Sequence, residues 1–279
     1  MTVKEILQKG TLLLKEKEFG NLEAQMLLAH VLGIERTKLL IQFDRIVDRG
    51  QERLYFGLLQ ARLDNVPVQY LIGECEFMSL PFFVDKNVLI PRSDTEILVE
   101  EALRCLPDSE VSVADICCGS GCIGVSIAYY QKNAKLFFAD LSPGALQVAE
   151  RNARRNGVWQ RSTFATMDVL KDPLPEYYDA ILANPPYIQE EDYLLLEPEV
   201  REHEPRLALV AKENGLQFYR ILTEKCTFNL KPGGFLAFEV GIGQAEAVKK
   251  LMKKNYIEIN IIPDLNGIDR VVIGRKSVK

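Results

Sequence analysis

The stretch VSVADICCGSGCIG, residues 111–124, reads as a buried strand running through a glycine turn into a helix. Val111–Ile116 is an apolar run of strand length, Gly119 and Gly121 give the backbone its freedom, and Cys122–Tyr130 has the length of a helix. From Gly119 the spacing is G-x-G-x-x-G through Gly124, a form that lets amides at a helix start face a ligand. Alone, such a turn is often plain strand-to-helix geometry, so its neighbours matter. Downstream, strand candidates at Lys135–Ala139, Thr163–Met167, Asp179–Ala183, Phe235–Val240, Tyr256–Ile262 and Arg270–Ile273 alternate with helices at Pro143–Asn156, Leu216–Leu230 and Gln244–Lys254. Ser142 as N-cap, Pro143 in the first turn and Gly157 past the end bound one of these helices. The alternation predicts an α/β fold: a seven-stranded, mostly parallel sheet with helices on both faces, its last two strands an antiparallel edge hairpin.

Upstream the character differs. Thr2 with Glu5 reads as a capping box, Asn21 as the cap of a helix closed by Gly33, and further helical segments follow Thr37 and span Arg53 to Leu63. This predicts a small helical bundle over residues 1–66 with no catalytic spacing in it, suited to docking a partner. Residues 67–91, with Phe77, Met78, Leu80, Phe82 and Phe83 around Pro81, read as a hairpin linker. Ser93 and Glu96 form a further capping box that opens a domain over residues 92–279.

The 279 residues are 47% hydrophobic and 26% charged, which excludes a disordered, collagenous or disulfide-framework chain. The net charge of −5 lacks the basic footprint of a protein that grips nucleic acid by its phosphates, so no stable nucleic-acid binding is expected. The N-terminus, with Lys4, Glu5 and Lys9, has no apolar leader, and the longest uncharged run, Ile116 to Gln131, is short for a membrane span and broken by glycines. A cytoplasmic protein with no membrane association and six reduced cysteines is the expectation. Cys117, Cys118 and Cys122 lack a second C-x-x-C pair, and His30 and His203 lie far off in sequence, so no metal site is expected.

In an open α/β sheet ligands gather at the carboxyl ends of the strands. Asp140, twenty-one residues after Gly119 and at a strand end, is placed to accept from both hydroxyls of a ribose, although it could equally cap the helix near Ser142. Asp168 closes the next strand, where it can meet an adenine amino group. Three acids at successive strand ends point to an adenosine-containing ligand, with a nicotinamide cofactor and S-adenosylmethionine both open at this stage.

The fourth strand ends in Asn184-Pro185-Pro186-Tyr187. Two prolines fix φ and remove two donors, leaving a corner rich in acceptors. The Asn184 side-chain oxygen and the Pro185 carbonyl suit the two hydrogens of a planar –NH2 group, and the Tyr187 ring suits a flat substrate.

In this order DxxxGxG, Asp140 and NPPY resemble a Rossmann-like, class I S-adenosylmethionine-dependent methyltransferase acting on an amino group. Further segments narrow the likeness: Pro67-Val-Gln-Tyr-Leu-Ile-Gly73, Leu89-Ile-Pro-Arg-Ser-Asp-Thr-Glu96, Glu204-Pro-Arg-Leu-Ala-Leu209, Leu230-Lys-Pro-Gly-Gly234, Glu239-Val-Gly-Ile-Gly-Gln244 and Asp269-Arg-Val-Val272. Together they resemble the PrmC (HemK) family over essentially the whole chain. The resemblance implies methylation of the glutamine side-chain amide in the Gly-Gly-Gln motif of peptide chain release factors, with the helical domain holding that protein substrate. It implies a cofactor site at Cys117, Cys118, Gly119, Ser120, Gly121, Asp140, Asp168, Val169 and Asn184, and a glutamine site at Asn184, Pro185, Pro186 and Tyr187. Among these, Asn184, Pro185 and Tyr187 are the catalytic candidates. Departures from the commonest family pattern are Cys117 and Cys118 for Gly-Thr, Val169 for Trp, Ser93 for Pro and Asn214 for Asp. Arg92, Glu204 and Glu239 lie in matching segments, with structural salt bridging as their expected role. Because NPPY is shared with adenine methyltransferases, the alternative is adenine-N6 methylation of DNA or RNA. A non-catalytic binding module or a dehydrogenase would have no use for the motif.

Overall fold

Thr2 and Glu5 start the chain with the expected reciprocal cap in the computed structural model, which describes residues 1–277: the Glu5 amide donates to Thr2 Oγ1 (3.2 Å) and the Thr2 amide to Glu5 Oε2 (2.9 Å). They open α1 (Val3–Leu13). Helix α2 (Gly20–Leu32) begins before Asn21, whose Oδ1 accepts from Thr11 Oγ1 (3.2 Å) and caps nothing, contrary to expectation; Gly33 at φ 65° closes it as expected. The segment after Thr37 is only a 3-10 turn, Arg36–Leu39. The next helix, α3 (Arg49–Leu63), starts earlier than read because Asp48 accepts from the Gly50 and Gln51 amides. Pro67 leads into α4 (Val68–Ile72), closed by Gly73. Val3, Ile6, Leu27, Leu28, Tyr55 and Leu59 are fully enclosed at the centre of these helices. This unit comprises Met1–Gly73 together with Glu197–His203, and its buried Arg62 pairs with Glu23 (2.8 Å) and Glu199 (2.7 Å).

The second unit comprises Glu74–Leu196 and Glu204–Lys279. It opens with the antiparallel hairpin of β1 (Glu74–Phe77) and β2 (Leu80–Phe83). The box expected of Ser93 and Glu96 does not form: Ser93–Thr95 is a 3-10 turn, and Glu96 Oε1 instead accepts from the Met78 amide (2.5 Å), tying the hairpin to α5 (Glu96–Cys105). The hairpin turn needs that tie, since Met78 and Ser79 both take positive φ. There follow β3 (Val111–Ile116), α6 (Cys122–Tyr130), β4 (Ala134–Asp140), α7 (Pro143–Arg155), β5 (Ser162–Thr166), β6 (Tyr178–Ala183) and the short helix α8 (Glu190–Tyr193); after α9 (Pro198–His203), which belongs to the first unit, come α10 (Gln217–Asn229), β7 (Leu230–Glu239), α11 (Ala245–Met252), β8 (Tyr256–Pro263) and β9 (Asp269–Lys276).

The seven strands after the hairpin form one sheet in the order β5-β4-β3-β6-β7-β9-β8, parallel from β5 to β7. The last two strands are antiparallel as expected, with β9 lodged between β7 and the edge strand β8. The face carrying Val113, Phe138 and Leu182 packs with residues of α5, α6 and α7, and the face carrying Ile116, Ile181 and Phe238 with residues of α10 and α11. Chain order reverses at β3, between β4 and β6, so the cleft beyond the carboxyl ends of β3, β4 and β6 is where this fold takes a ligand. No helix among the described residues is long and apolar enough to cross a membrane.

Candidate active site

Asp115 is wholly buried under the glycine turn, and its Oδ2 accepts from the Gly124 amide (2.8 Å) at the start of α6. Burial pushes its carboxyl up to about 8 against that hydrogen bond, and the nearby Asp140 charge adds to the rise. The three glycines of the turn have different duties. A Cβ on Gly124 would lie 2.4 Å from the Phe138 ring and one on Gly121 3.0 Å from Ala149 Cβ, so these two pack the helix. Gly119, at φ +53°, has nothing within 4 Å of a Cβ and lies on the wall of a cavity of about 640 Å³. The space a side chain would take there is open to a ligand. Cys117 takes φ +58° as a non-glycine, a conformation that costs of order 1 kcal/mol or more and that glycine would adopt freely.

Asp140, at the end of β4, faces this turn. Its Oδ2 accepts from the Gly119 amide and its Oδ1 from the Ser142 amide, both at 2.9 Å. Burial raises its carboxyl and those amides oppose the rise. The two readings of Asp140 are therefore both realised, since it orders the helix start and also stands on the cavity wall. Asp168 lies on the same wall, held below the usual carboxylate range by Lys171 (2.7 Å) and by the Leu170 amide. The adjacent Val169 is buried, with its carbonyl fixed by Lys225 Nζ (2.7 Å).

NPPY begins where β6 ends. Asn184 reaches the cavity, and its Nδ2 donates to Thr95 Oγ1 (3.4 Å). Both prolines are buried, and the Tyr187 carbonyl accepts from Gln244 Nε2 (3.0 Å), whose Oε1 in turn accepts from the Gly241 amide (3.1 Å). Beyond Tyr187 the chain is clamped by Ile188, which donates to the Leu209 carbonyl and accepts from the Ala211 amide, both at 2.9 Å. Glu204, nearly wholly buried, pairs with Arg92 and accepts from the Ile90 amide (3.3 Å), so the LIPR and EPRLAL segments are joined beside the cavity. That is the salt bridge expected of these two residues. Glu239 makes no ion pair within 4 Å among the described residues; it lies buried next to Asn184 and Thr95.

Of the sequence-predicted positions, Cys117, Cys118, Gly119, Ser120, Asp140, Asp168, Val169, Asn184 and Pro186 meet on the cavity wall. Gly121, Pro185 and Tyr187 adjoin it in the chain and are not among the residues that line it. The wall also includes Thr95, Leu141, Arg206 and Phe218, none of which the sequence reading assigned. Leu141 carried a signal, an apolar side chain left half-exposed between Asp140 and the Ser142 cap.

Residues 5–73 match the family description "PrmC N-terminal domain", and residues 93–201 match "Methyltransferase small domain". A release factor glutamine methyltransferase of Geobacter sulfurreducens is 41% identical over 277 residues, spanning 98% of this chain and 96% of the relative. The chain belongs to the PrmC family of release factor glutamine methyltransferases. Another PrmC relative bearing that name, from Clostridium acetobutylicum, is 37% identical over 98% of both chains. Among solved structures, a methyltransferase from Pyrococcus furiosus superposes with a TM-score of 0.56 at 17% identity, over 78% of this chain and all of that one, a likeness of fold. The PrmC family is the one expected from NPPY and its flanking segments.

Proposed function

We propose that this chain transfers the methyl group of S-adenosylmethionine to the side-chain amide nitrogen of the glutamine in the Gly-Gly-Gln motif of peptide chain release factors. The observation that carries the reading is Asn184 on the wall of the cavity that Gly119 and Asp140 share, with its Nδ2 engaged by Thr95 and its Oδ1 left to accept. The residues present fit the cofactor: the side-chain space at Gly119 is open, and Asp140, with one hydrogen bond to each oxygen, keeps acceptor capacity for the ribose hydroxyls. Cys117, Cys118, Ser120 and the Asp168–Val169 pair complete its walls.

When bound, the cofactor supplies an electrophilic methyl on a sulfonium. The chain must make an amide nitrogen nucleophilic, although its lone pair is delocalised into the carbonyl. Asn184 Oδ1 and the Pro185 carbonyl would accept the two amide hydrogens, push electron density toward nitrogen and fix its position; as nitrogen gains the methyl that the sulfonium would give up, one of those two hydrogens leaves as a proton to solvent. Positioning of this kind lowers barriers by up to about 7–11 kcal/mol in favourable cases. Tyr187 and Pro186 bound the flat group. In this reading the helical unit docks the release factor and the reaction is cytoplasmic, and the net charge of −5 supports the absence of a stable nucleic-acid partner. Incubation with labelled S-adenosylmethionine and, separately, release factor, DNA and RNA tests this. Label is expected in the release factor alone; label in adenine would replace the reading with nucleic-acid methylation.

A further inference from the structure

Glu239 is the last residue of β7 and is 3% exposed. In the parallel register of β6 and β7, Ala183 is level with Phe238, so the next residues, Asn184 and Glu239, leave their strands side by side. Thr95, only 2% exposed, stands beside both. The Thr95 and Asn184 side chains lie against the Glu239 carboxyl and favour its charged form, while Asn184 Nδ2 donates to Thr95 Oγ1 (3.4 Å). Glu239 Oε2 is buried with no hydrogen-bond partner among the described residues. Burying a carboxyl in this way is costly, which asks for a reason.

The chemistry of the groups supplies one. A carboxylate only accepts, and a carboxamide donates only from nitrogen, so a carboxylate beside Asn184 favours the one orientation of the amide that turns Nδ2 toward it and toward Thr95. We propose that Glu239 is a positioning residue for methyl transfer: with Thr95 it holds the Asn184 carboxamide with Nδ2 turned into the protein and Oδ1 turned toward the substrate amide. This rests on the glutamine reading above. A flipped Asn184 would present two donors to two donors and repel the substrate.

The surroundings agree with this assignment. Burial pushes the Glu239 carboxyl up to about 7; the Thr95 and Asn184 side chains and the Arg270 guanidinium oppose the rise, and Asp94 adds to it. Arg270 is shared with Asp94 (2.8 Å) and Asp264 (3.1 Å), and Tyr187, Tyr219 and Cys122 are further titratable neighbours of Glu239. Once protonated, Glu239 becomes a donor and competes for the Asn184 oxygen, so the transfer rate should rise with pH across neutrality.

The test reverses the polarity of the pair. Full-length wild type, Glu239→Gln, Asn184→Asp and the double variant are compared in single-turnover transfer to a release factor at saturating cofactor, with cofactor affinity measured by calorimetry. Each single change should slow transfer by about tenfold or more while cofactor affinity stays within about threefold. In the double variant the new glutamine donates to one oxygen of the new aspartate and leaves the other for the substrate. It should run about tenfold faster than either single change and lose the rise with pH. A Glu239→Gln rate within about twofold of wild type, or a double variant no faster than the slower single, overturns the proposal. If Glu239→Gln does not fold, Thr95→Val carries the same test by removing the hydroxyl between the two, and an undiminished rate there overturns it. Wild type that labels no release factor overturns the glutamine reading and this one together, whereas an active wild type with an indifferent Glu239 overturns this one alone.

Discussion

Asp115 and Asp140 hold the glycine turn from opposite sides, and their surroundings divide the work between them. Asp115, raised to about 8 from an ordinary 3.8, binds its proton more tightly in the folded chain than in the unfolded one. Its contribution to stability is therefore full below the ordinary carboxyl range and is lost as pH rises through about 8. The melting temperature of wild type should fall relative to Asp115→Asn between about pH 4 and 8, and a difference constant with pH would contradict this. Asp140 keeps acceptor capacity for a ligand, so Asp140→Ala should weaken cofactor binding by about 1.5–3 kcal/mol, roughly ten- to a hundredfold, in a protein that still folds. Calorimetry decides it, and unchanged affinity would place the cofactor elsewhere. Asp140 and Asn184 were legible because each is the last residue or the next after an apolar run. Glu239 was not, since its neighbours come from distant parts of the sequence, Asn184 brought beside it by the β6–β7 register and Thr95 by the turn before α5.

At the level of elements, NPPY is a corner that other loops must hold. Gly215 is one clamp: at φ +78°, a Cβ there would lie 2.1 Å from the Tyr187 carbonyl oxygen and 2.5 Å from Gln244 Nε2. Gly215→Ala should cost about 2 kcal/mol or more in stability and slow transfer further than it weakens cofactor binding, because it moves the corner and leaves the Gly119 turn alone. Thermal melting beside single-turnover rates tests this, and an alanine variant equal to wild type in both would contradict it. The strands were readable in the sequence because buried parallel strands are nearly continuous apolar runs bounded by breakers. Helix starts were less so. Asn21 and the Ser93–Glu96 pair have the residue types of caps, but Asn21 Oδ1 is taken by Thr11, and Glu96 is taken by the strained hairpin turn at Met78. A cap is a local preference that a single competing donor can redirect.

For the whole molecule, the described residues that line the candidate site all belong to the sheet unit, and none to the helical unit of Met1–Gly73 and Glu197–His203. A protein beginning at Glu74 should keep cofactor binding and lose most transfer to an intact release factor; full activity on that factor would contradict the docking role. The most direct test of the account is the position of the methyl group itself. Fragment mass spectrometry of a release factor treated with this protein and S-adenosylmethionine should find it on the side-chain nitrogen of the Gly-Gly-Gln glutamine. A methyl on any other residue, or a release factor left unmodified, would contradict it.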